Sequence, residues 1–79
     1  MSDREYLRDT LQMLLQRARV ATAKARELQE QQRDGAFEAG LAQAYYESLS
    51  VLLNQLDAFG IPRDSVGIDD RLDLERELL

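Results

Sequence analysis

Residues 7 to 28 read LRDTLQMLLQRARVATAKAREL, and their apolar spacing decides the fold. Leu7, Leu11, Leu14, Ala18, Ala21, Ala25 and Leu28 recur at alternating intervals of four and three, the a and d positions of three heptads. A seam of this period belongs to a helix that lies along another helix. Its small alanine half calls for a partner with large side chains, so that the two surfaces interlock at close range.

The signals on either side fix the limits of this helix. Upstream, Ser2 and Glu5 have the spacing of a capping box, and Asp3 suits the positive end of the helix dipole. Downstream, Arg33 suits the negative end and Asp34-Gly35 reads as a turn. The first helix is therefore expected over about residues 3–33. A second, over about 36–59, carries Ala42, Tyr45, Leu49, Leu52, Leu56 and Phe59 on its seam. Gly60-Ile61-Pro62 ends it, because glycine suits the left-handed residue after a helix and proline cannot continue one. Residues 61–79 begin as a loop and finish as a short helix from about Asp69.

A turn this short makes the helices antiparallel neighbours. Equal rise in both then sets Ala25 against Tyr45, Ala21 against Leu49, Ala18 against Leu52, Leu14 against Leu56 and Leu11 against Phe59. The predicted fold is all-α: an antiparallel, coiled-coil-like two-helix hairpin with a short C-terminal helix, in one helical domain spanning 1–79.

The chain has 79 residues and contains neither Cys nor His, so disulfides and Cys/His zinc sites do not reinforce it. A core of this size contributes only a few kcal/mol of net stability, and oligomerisation is the remaining reinforcement. The sequence thus predicts a homodimer forming a four-helix bundle. No apolar run approaches the roughly 20 residues of a membrane span. The charged opening MSDREYLRD does not resemble a signal peptide, so a cytoplasmic, non-membrane protein is expected.

Charge is unevenly distributed. Residues 1–33 carry seven positive and five negative side chains, residues 34–60 carry four negative and none positive, and residues 61–79 carry three positive and six negative. The basic run QRARVATAKAR, residues 16–26, holds Arg17, Arg19, Lys24 and Arg26. On a heptad wheel Arg17 and Lys24 flank one side of the seam, while Arg19, Arg26 and Arg33 flank the other. Divided in this way they set pairing against the acidic second helix. A nucleic-acid surface would need a single basic face with base-reading or stacking residues.

Chemistry at neutral pH has few candidate groups. Without His or Cys, and without a glycine-rich phosphate loop, no nucleophilic or acid–base constellation emerges. The sequence indicates no enzyme activity, cofactor or small-molecule substrate. Asp69, Asp70 and Asp73 lack the glycine and terminal glutamate of a calcium loop and read as residues at a helix start.

Apolar surface remains after the seam has been assigned. Met13, Leu15 and Val20 on the first helix, and Leu41, Tyr46, Val51 and Leu53 on the second, are the candidate self-association or partner residues. The competing expectation is that residues 61–79 fold back over one side, bringing in Ile61, Val66, Ile68 and Leu72. Leu72, Leu78 and Leu79 form an alternative partner helix suited to a groove on another protein. The sequence therefore reads as a small non-enzymatic helical protein that binds protein, as an adaptor, chaperone or inhibitor. Its rival is a nucleic-acid-associated regulator using Arg17–Arg26.

Overall fold

The computed structural model describes residues 3–79, so Ser2 of the expected capping box lies outside the described residues. Two long helices, α1 (Asp3–Glu30) and α2 (Ala36–Ala58), form the hairpin. A single 3₁₀ turn, η1 (Arg63–Val66), and a short helix, α3 (Leu74–Leu78), follow. The fold is all-α, as the periodicity predicts, and no strand occurs among the described residues.

All three helical terminations between elements use the same device. After α1, the Arg33 N–H donates to the Leu28 carbonyl at 2.8 Å and the Gln32 N–H to the Gln29 carbonyl at 3.0 Å. This is the Schellman pair, which satisfies carbonyls the helix leaves without partners. The residue in the left-handed conformation is Gln32, with φ 56°. The turn therefore reverses two residues before Asp34-Gly35, and α1 stops at Glu30 rather than near 33. Gly35 is needed for another reason: a Cβ there would lie 3.1 Å from the Leu28 Cβ. The same pair recurs at Gly60 and Ile61 after α2 and at Gly67 and Ile68 after η1, with both glycines at positive φ.

One of these reversals explains a departure from the expected seam. Gly60 turns the chain so that Ile61, rather than Phe59, packs against the core beside Leu56, as the apolar contact of a Schellman motif requires. Phe59 is left 77% exposed. Near the C-terminus, Asp69 and Asp73 each engage a main-chain amide. The Asp69 Oδ1 accepts from the Arg71 N–H at 2.8 Å, and the Asp73 carboxylate caps α3 by accepting from the Arg76 N–H at 3.3 Å. The last helix consequently starts at Leu74, five residues later than its acidic lead-in suggested.

The tail folds back over the hairpin. Val66, Ile68, Leu74 and Leu78 are buried in one cluster with Leu11, Leu15, Ala18, Leu49, Leu53 and Leu56. The apolar stripe on α1 is therefore wider than an a/d seam. It adds Leu15 and Thr22 to Leu11, Ala18, Ala21 and Leu28, the breadth required when a helix packs against two neighbours. At the other end of the tail, Arg63 and Asp57 join η1 to the end of α2 through two hydrogen bonds of 3.1 and 2.8 Å.

Candidate functional site

Helical periodicity gives α1 two polar edges, and the structure uses them differently. Arg8, Gln12, Arg19 and Arg26, spaced four and seven apart, share the edge that meets the tail. The Gln12 amide donates to the Gly67 carbonyl at 2.7 Å. Arg19 pairs with Glu77 at 3.0 Å, and Arg26 donates to the Arg76 carbonyl at 3.4 Å. Beneath them the buried Thr22 hydroxyl donates to the Leu78 carbonyl at 3.3 Å. The partner of this part of the basic run is thus the acidic tail, not the acidic second helix that the charge distribution suggested.

The other edge carries Met13, Arg17, Val20 and Lys24, spaced four, three and four apart. Here none of the described segments covers the hairpin. A groove between α1 and α2 is floored by Met13, Val20, Ala21, Leu41 and Tyr45, with Arg17 and Lys24 on the α1 rim and Glu38 on the α2 rim. Met13 is 57% and Val20 63% exposed. Lys24 lies 3.6 Å from Glu27 on its own helix, with both side chains about half exposed, and Arg17 makes no ion pair among the described residues. Towards the open end of the hairpin a second shallow depression is lined by Leu7, Leu11, Leu52 and Phe59.

The residues expected to bind a partner are therefore distributed over three environments. Met13, Val20 and Leu41 lie together on the open groove. Val51 is exposed outside it. Leu15 and Leu53 are core residues that hold the tail, and Tyr46 is half-buried at the α3 contact, its hydroxyl donating to the Glu75 carboxylate at 3.2 Å. Partial burial, followed by the neighbouring Glu75 charge, raises the Tyr46 phenol above its ordinary pKa. In the alternative partner helix, Leu78 is buried and Leu72 half-buried against the hairpin, while Leu79 is exposed. Only Leu79 of those three is available in the docked state.

Tyr45 is the groove residue that the seam assignment concealed. It packs against the core, as a seam residue should, and its half-buried ring also lines the groove floor. The available signal was its place one helical turn from Leu41 and two from Phe37, a stripe that leads towards the exposed Phe37.

The basic run does not form one surface. Arg19 and Arg26 are engaged with the tail, while Arg17 and Lys24 border the apolar groove on the other edge. Among the described residues, no group of three or more acidic side chains is placed to hold a metal ion, and no helix is long and apolar enough to cross a membrane. Comparison with known proteins finds no matching family model, no significantly similar curated protein and no significantly similar solved structure.

Proposed function

We propose that the protein acts by binding protein through the open face of its hairpin, as an adaptor, chaperone or inhibitor rather than as an enzyme. The observation that carries this reading is the uncovered apolar groove around Met13, Val20 and Leu41, on the side opposite the docked tail. The tail satisfies one face of the hairpin and leaves the other exposed. Burial of such a surface is the main favourable term in protein association.

Area supports the same reading. The elongated chain, 44 × 23 × 17 Å, exposes 5727 Å² at a mass of 9.1 kDa. A compact monomer of that mass exposes about 4,900 Å². Two forms of binding use this face: homodimerisation into a four-helix bundle, and capture of a different protein.

A photo-crosslinking residue at Val20, compared in the native host with the same residue at outward-facing Ala23, tests the reading. Discrete crosslinked protein products are expected from position 20 and not from position 23. Equal, diffuse labelling from both positions, with the isolated chain sedimenting as a monomer, would reject it.

A further inference from the structure

We infer that the groove receives an amphipathic helix of a different protein, acidic along the edge that lies over α1. This inference rests on the protein-binding reading and names the chemistry of the partner. The groove is bounded by two helices and floored by apolar side chains, the setting in which a third helix lays its own apolar stripe.

Charge selects which helix fits. On the α1 rim, Arg17 and Lys24 are seven residues apart, about 10.5 Å along the axis. Arg17 has no ionic partner among the described residues, and Lys24 has only its exposed neighbour Glu27. The other rim carries Glu38. The groove is thus cationic on one side and anionic on the other. A helix running nearly parallel to α1 repeats its edges every seven residues, so two carboxylates one heptad apart meet both cations. Such pairs select partners more strongly than they add affinity.

A second copy satisfies these cations less well. Stacking two hairpins open face to open face allows two symmetric arrangements. One sets α1 on α1 and brings Arg17 and Lys24 of both copies together. The other sets α1 on α2, where Glu38 is the single carboxylate lining the groove, so that one of the two cations on each copy is left without a partner.

Two labelled helical peptides test the proposal. They share a leucine stripe and differ only in whether glutamate or lysine occupies the flanking positions. Fluorescence anisotropy should show the wild-type chain binding the glutamate peptide about tenfold more tightly than the lysine peptide, with the preference decreasing at high salt. Arg17→Glu combined with Lys24→Glu should reverse the preference, while Arg71→Glu, a charge reversal at an exposed site outside the groove, should retain it. Equal binding of both peptides, or a wild-type preference for lysine, would overturn the inference and leave the binding reading in place. If neither peptide bound, sedimentation would separate the remaining outcomes. A dimer would identify a second copy as the occupant and overturn the inference alone, whereas a monomer would overturn the inference and the binding reading together.

Discussion

Replacing Leu78 by alanine should unfold much of what the tail stabilises, while the same change at the adjacent Leu79 should do almost nothing. Leu78 is 2% exposed within the shared core and Leu79 is 55% exposed. Truncating a fully buried leucine to alanine costs about 2–5 kcal/mol, depending on how far the site collapses. A five-residue terminal helix relaxes readily, which places the expected cost near the lower end, at about 2–3 kcal/mol. The loss is also capped by the free energy with which the tail docks, because beyond that point the tail simply detaches. Chains of this length have about 4–12 kcal/mol in total. The Leu78→Ala melting temperature should therefore fall by roughly 10–20 °C. Leu79→Ala should stay within about 0.5 kcal/mol of wild type. Thermal and urea denaturation followed by circular dichroism at 222 nm measure both variants. Indistinguishable midpoints for the two variants would show that the tail does not dock, and would return Leu15 and Leu53 to the exposed surface.

Three other outcomes follow from the same packing. Ala18→Leu, at a fully buried position, should overpack the core and cost about 1–3 kcal/mol, against near neutrality for Ala23→Leu on the outward surface; thermal melts compare them. Arg19→Glu should lower stability in a salt-sensitive way by breaking the half-exposed pair with Glu77, whereas Arg17→Glu should leave stability unchanged, as denaturation at low and high salt will show. The Arg63 hydrogen bonds hold the Asp57 carboxyl below its ordinary pKa. Since the folded value is the lower one, this stabilisation is complete above the unfolded carboxylate pKa of about 4 and disappears as pH falls through the folded value. The stability difference between wild type and Asp57→Asn should accordingly shrink in acid, measured as urea midpoints from pH 7 to pH 2.

The hairpin was legible because its evidence is local and periodic. The heptad spacing from Leu7 to Leu28 and the Gly60-Ile61-Pro62 stop are visible within short windows, and both correspond to real elements. The tail was less legible for a physical reason. Its burial depends on Val66, Ile68, Leu74 and Leu78, which share no common period because a 3₁₀ turn and a capped loop separate them. Their counterparts Leu15 and Leu53 look like surplus apolar surface when only two helices are counted. Gln32 was hidden for a related reason. A helix end can take the left-handed conformation at a residue other than glycine when paired main-chain hydrogen bonds hold it, and Asp34-Gly35 was the stronger sequence signal. The groove was half legible: the heptad spacing leaves Met13, Val20 and Leu41 off the seam, but their grouping with Tyr45 required knowing which face the tail covers.

Because the chain contains no cysteine, single cysteines can report directly on its two faces. The most direct measurement is the rate of maleimide labelling of five variants under native conditions: Met13→Cys, Val20→Cys, Leu41→Cys, Leu15→Cys and Leu53→Cys. A covered face and an open face predict rapid labelling at positions 13, 20 and 41, and rates at 15 and 53 slowed by the opening free energy of the core. Labelling of positions 15 and 53 as fast as position 20, in variants that remain folded, would contradict the two-faced hairpin on which the binding proposal depends.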